Sequence, residues 1–114
     1  MLTPDHQREL LALARQSIAH HLSGRALPTT DEASAELLSP AGAFVTLHLD
    51  QELRGCIGTF QTDRPLAHVV QDMALSAATR DPRFPPVTES ELKVLDLEIS
   101  VLSHRRRVTR PEKV

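Results

Sequence analysis

From Ala43 to Leu49 the sequence alternates, with Val45, Leu47 and Leu49 on one side and Phe44, Thr46 and His48 on the other. After Asp50-Gln51-Glu52 an extended pattern resumes from Leu53 to Phe60. Two such runs separated by three polar residues predict an antiparallel hairpin, because a parallel return needs a crossover of about a dozen residues. The other elements must pack on that hairpin or widen its sheet. Gly55 and Gly58 interrupt the second strand on either side of Cys56. A strand glycine gives up packing and backbone entropy, so the pair marks a bulge or a close approach by another backbone or a ligand.

The flanking segments supply helices and a third strand. Thr3-Pro4-Asp5 is a helix start, and Leu10, Leu11, Ala14, Ile18 and Leu22 recur at helical spacing up to a stop at Gly24, predicting a helix over 4–23. Residues 25–40 read as a connector with one turn around Ala33 to Leu38. Asp63 or Thr62 is placed to cap a second helix ahead of Pro65, with Leu66, Val69, Val70, Met73, Ala74 and Ala77 on its apolar face and an end near Thr79. Asp81-Pro82-Arg83-Phe84-Pro85-Pro86 cannot be helical, since its prolines lack donors and push preceding residues into extended geometry; it reads as a stiff loop with Phe84 as a core plug. Thr88-Glu89-Ser90-Glu91 matches a capping box for a short helix. Leu95 to Ser103 is a third strand with Leu97, Ile99 and Val101 inward. This order favours an α+β fold, a mainly antiparallel sheet with helices packed on it.

Composition narrows the function classes. With 114 residues the chain makes one domain, and its aromatic residues are Phe44, Phe60 and Phe84 alone. That leaves little to stack bases on and argues against a nucleic-acid module. The net charge of −2 conceals a basic end, Arg105, Arg106, Arg107, Arg110 and Lys113 against Glu112, on an otherwise acidic chain. Such a short run reads as a solvated terminus. A lone cysteine excludes an internal disulfide and suits a reducing compartment, and the sequence shows neither a leader pattern nor a membrane span, so a cytoplasmic location is expected. His20 and His21 are adjacent on the first helix, and His6, His68 and His104 share no ligand spacing, so no metal site is expected.

The segment Leu53-Arg54-Gly55-Cys56-Ile57-Gly58-Thr59 resembles that of the AMMECR domain proteins. So, in the same order, do Gly42-Ala43-Phe44-Val45-Thr46-Leu47, Pro65-Leu66, Ala77-Ala78, Asp81-Pro82-Arg83-Phe84-Pro85-Pro86-Val87, Glu91-Leu92 and Glu98-Ile99-Ser100-Val101-Leu102. The resemblance runs from about Leu10 to Val114. It implies an α+β domain with an antiparallel sheet and a genomic association with a Memo-like protein and a radical SAM enzyme. It implies no settled activity and leaves any cofactor unspecified. Members of this family usually continue further, and residues 108–114 are similar to the entry of a next helical element. Residues 1–114 are therefore expected to form a single AMMECR-like domain that is incomplete at its C-terminus.

Cys56 is the residue to weigh first. If Leu49 faces Leu53 across a three-residue loop, Cys56 faces Thr46, Arg54 faces His48, and all four side chains share one face. A nearby guanidinium and a diagonal imidazole would favour the thiolate, the nucleophilic form; equally, a cysteine between two glycines is a small buried hydrophobe. Asp81 and Arg83 on the proline loop either orient a substrate or tie the loop down, with Arg80-Asp81-Arg83 pairing as the plainer account. The resemblance adds weight to Arg54, and Arg54, Cys56, Thr59, Asp81 and Arg83 together make a candidate cleft whose arginines suit an anionic ligand. Two functions follow. One is a partner-binding or scaffold domain associated with the Memo-like and radical SAM proteins. The other is an enzyme, or enzyme component, binding a small anionic or nucleotide-like ligand with Cys56 as reactive thiolate, Arg54 and Arg83 as anion holders, and Thr59 and Asp81 as positioning groups.

Overall fold

A computed structural model describes residues 2–102 and the strand backbone of 107–109. Its elements are α1 (Pro4–Leu22), a 3-10 turn (Ala35–Leu38), β1 (Gly42–Leu49), β2 (Glu52–Thr59), α2 (Leu66–Thr79), α3 (Glu89–Leu92), β3 (Asp96–Leu102) and β4 (Arg107–Thr109). Among the described residues the strands form one antiparallel sheet in the order β2-β1-β3-β4, with β2 at its edge. This is the expected α+β arrangement. The basic run from His104 and the helix entry expected over 108–114 lie largely outside the described residues, apart from the β4 backbone.

Alternation assigns the two faces of the sheet. Ala43, Val45 and Leu47 of β1 and Leu97 and Ile99 of β3 point to one side, where α1 and α2 pack, and all five are buried. Leu10, Ala14 and Ile18 of α1 meet Leu66, Val69, Val70, Met73, Ala74 and Ala77 of α2 over this layer. Phe44, Thr46 and His48, with Cys56 and Gly58, occupy the other side. Apolar burial at about 25 cal/mol per Å2 drives this assembly.

Local signals explain the helix ends. Thr3 caps α1, its hydroxyl accepting the His6 N–H at 3.1 Å while His6 Nδ1 accepts the Thr3 N–H at 3.2 Å. Gly24 sits just beyond with φ 74°, a left-handed conformation that glycine adopts without strain. At α2 the expected side-chain cap is absent: the cap position is Pro65, not Asp63 or Thr62, and no side chain bonds there. The connector takes over that role, because Ser39 O accepts the Leu66 N–H at 2.9 Å. Backbone from a distant segment satisfies a donor that sequence logic assigns to a neighbour.

The hairpin differs from expectation at its tip. Its turn contains two residues, not three, with Asp50 at φ 53° and Gln51 at φ 69° and Leu49 paired with Glu52. Positive φ at both central positions is the type I′ geometry, whose twist matches that of the flanking strands. His48 pairs with Leu53 and Leu47 with Gly55, which leaves Arg54 as an extra residue in a β-bulge. Arg54 therefore does not face His48. Beyond the bulge Thr46 pairs with Cys56, as the alternation predicts.

Candidate functional site at Cys56 and the proline loop

Both glycines flanking Cys56 are places of close approach. A Cβ on Gly55 would run into the Ala77 carbonyl oxygen of α2, and one on Gly58 would run into the Phe44 ring. Gly55 lets α2 settle onto β2 from the helix side, and Gly58 lets Phe44 lie across β2 on the other. Phe44 also meets Phe60 edge to face, ring centroids 5.1 Å apart, and Phe60 is 77% exposed.

Cys56 itself is half-buried, neither a core residue nor an open one. Its Sγ lies 3.1 Å from the Thr46 hydroxyl across the strand pair, a hydrogen bond in which either group can donate. Its backbone N–H points off the sheet edge and donates to Asp81 Oδ2 at 3.0 Å. Asp81 is only 4% exposed and sits at the end of α2 where the proline loop begins.

Four donors converge on this carboxylate. Besides the Cys56 N–H, Oδ1 accepts the Arg83 backbone N–H and Nε, each at 3.0 Å, and Oδ2 accepts Arg83 Nη2 at 2.7 Å. The Arg83 guanidinium, opposed by burial and aided by the backbone donors, holds the Asp81 carboxyl far below the usual carboxylate range. Arg83 is in turn pushed up, chiefly by its hydrogen bonds to Asp81 and also by the field of Asp81 and Cys56. Arg80 does not join them. It bonds Ser76 Oγ at 2.7 Å and pairs with Asp72 at 3.4 Å instead.

Arg54, turned out by the bulge, clamps the far end of the same loop. Its Nε and Nη2 reach the two oxygens of Glu91 at 3.1 and 2.9 Å, and its Nη1 and Nη2 donate to the carbonyls of Pro85 and Pro86 at 2.9 and 3.3 Å. Glu91 also accepts the Thr88 N–H at 3.0 Å, and these bonds, Arg54 first, hold its carboxyl below the usual range. Phe84 is half-buried, not a core plug. Its ring lies 5.9 Å from the Arg54 guanidinium carbon and 5.3 Å from that of Arg83, within cation–π range of both.

Of the five candidates, Cys56, Asp81 and Arg83 stand together, and Arg54 joins them through Phe84. Thr59 does not. It pairs with buried Ala43 and follows Ile57 on the helix side of the sheet, where its hydroxyl accepts the Gln61 N–H at 3.1 Å. Glu91 is the partner that sequence reasoning missed: 37 positions from Arg54, it carries no local signal beyond its capping role. Among the described residues no group of three His, Cys, Asp or Glu could hold a metal ion, and no helix is long and apolar enough to cross a membrane.

Residues 11–114 match the family model described as AMMECR1. The chain belongs to the AMMECR1 family. A protein of Methanosarcina barkeri is 43% identical over 97% of this chain and 57% of its own length. One of Methanocaldococcus jannaschii is 39% identical over 90% of this chain and 52% of its own length. The crystal structure of an uncharacterised protein from Pyrococcus horikoshii is similar with a TM-score of 0.82 at 34% identity, over 90% of this chain and 53% of that one. The chain thus spans little more than half the length of these AMMECR1-family relatives.

Proposed function

We propose that this AMMECR1-family chain is a partner-binding domain without catalytic chemistry of its own, and that its partner is the Memo-like or the radical SAM protein implied by the family resemblance. The observation that carries this reading is the engagement of both candidate anion holders. The Arg54 guanidinium is paired with Glu91 and two loop carbonyls, and Arg83 is paired with Asp81. An anionic ligand would have to displace carboxylates already held in good geometry, one of them buried. Exposed Phe60 beside Phe44 offers a partner an aromatic side chain of a kind enriched at protein interfaces. Calorimetric titration with purified Memo-like and radical SAM proteins from the same organism tests this. Saturable binding weakened by Phe60→Ser is the expected result; no binding to either would overturn the proposal.

A second reading takes Cys56, half-buried and with its Sγ 3.1 Å from the Thr46 hydroxyl, as the nucleophile of an enzyme acting on a small anionic or nucleotide-like ligand. Alkylation of the native protein separates the two. Reaction faster than for the unfolded chain, protected by a nucleotide, supports the enzyme, whereas a thiol reactive only after unfolding removes it.

A further inference from the structure

We propose that the proline loop is a guard on the outer edge of β2, and that it keeps a second copy of this chain from pairing there. An edge strand presents unpaired N–H and C=O groups to any extended segment that meets it. The Cys56 N–H points off the edge of β2, and alternation aims the Gly58 backbone the same way. Residues 55–62, Gly-Cys-Ile-Gly-Thr-Phe-Gln-Thr, form an uncharged, proline-free run between Arg54 and Asp63, with Gly55 to Thr59 in β2 and exposed Phe60 just beyond it. An uncharged stretch at an edge that carries the strand formers Ile57, Thr59 and Phe60 and no charge to repel a copy of itself can pair with an identical stretch, which makes a second copy the occupant.

The loop is built to prevent that contact. The Asp81 carboxylate stands where the carbonyl of a neighbouring strand would stand, accepting the Cys56 N–H at 3.0 Å. Arg83 anchors the carboxylate with two side-chain bonds, so it cannot swing away without breaking an ion pair. At the other end Arg54 binds the Pro85 and Pro86 carbonyls, fixing the loop alongside the strand. Pro82, Pro85 and Pro86 have no N–H to offer, so the guard cannot itself become a ladder that an incoming strand extends.

The test compares the full chain with Asp81→Ala, by light scattering after size exclusion over a range of concentrations and by the intermolecular β band in the infrared. Asp81→Ala is expected to shift from the mass of the parent protein to a dimer or larger species as concentration rises, with a gain in that band. Adding Phe60→Lys, which places a charge in the edge run, is expected to reverse the shift. Where Asp81→Ala gives the NMR spectrum of an unfolded chain, Arg83→Ala carries the same comparison, because it removes both side-chain bonds that hold the Asp81 carboxylate against the Cys56 N–H. A folded Asp81→Ala, or in its stead a folded Arg83→Ala, that keeps the parent mass at every concentration overturns the guard. So does association that Phe60→Lys leaves unchanged.

Discussion

Arg54 and Glu91 meet fork to fork, two guanidinium nitrogens on two carboxylate oxygens at 2.9 and 3.1 Å, joining the bulge of β2 to the first turn of α3. Arg54 has a side-chain exposure of 11%, so water screens the pair only partly. Replacing Arg54 with Ala removes these bonds and the two to the loop carbonyls. A loss of about 1–3 kcal/mol in unfolding free energy is expected by urea titration. Arg54→Lys is expected to recover only part of it, since a single ammonium cannot reproduce the planar fork.

The two glycines of β2 predict unequal costs. At Gly55 an added methyl meets the Ala77 backbone oxygen, which moves only if α2 moves. At Gly58 it meets Cγ and both Cδ atoms of the half-buried Phe44 ring, which clear it by a change of side-chain rotamer and no backbone shift. Gly55→Ala is expected to destabilise by roughly 2–4 kcal/mol and Gly58→Ala by roughly half as much, read as shifts in denaturation midpoint.

Acid should reveal Asp81. Its folded carboxyl titrates far below the ordinary Asp value of about 3.9 that it has when unfolded, so its contribution to stability is full above that value and fades as pH falls toward the folded one. The difference in unfolding free energy between the parent protein and Asp81→Asn is therefore expected to be constant from pH 7 to about 5 and to shrink below about 4. A difference that grows on acidification would contradict the hydrogen-bond arrangement around the carboxylate.

Phe60 separates binding from stability. Because the side chain is 77% exposed, Phe60→Ser is expected to change unfolding free energy by no more than about 0.5 kcal/mol while weakening partner binding. Leu47→Ala, by contrast, empties a fully buried position and is expected to cost about 2–5 kcal/mol. Thermal unfolding of the two variants side by side checks both expectations.

The fold was legible where periodicity and capping act locally. Thr3, the apolar faces of α1 and α2, the Thr88–Glu91 box and the alternation of β1 all predict what forms, and the glycines around Cys56 announce the close approaches that occur. The site was legible in its parts but not in its pairing. Nothing near Arg54 in the chain points to Glu91, and nothing near Leu66 points to Ser39, because those contacts are made by segments that only folding brings together. Thr59 illustrates the opposite error, a residue grouped with Cys56 by closeness in sequence that an odd strand offset sends to the other face.

The turn at Asp50-Gln51 and the bulge at Arg54 compensate for one another: one residue fewer in the loop, one more in the strand. Their lengths cancel, which is why Thr46 meets Cys56 in the same way as it would under a longer turn without a bulge. The hairpin tip thus behaves as a length-tolerant cassette. Deleting Arg54 would smooth the ladder and leave Cys56 opposite Thr46, whereas one residue inserted between Gly55 and Cys56 would turn the thiol toward the helices.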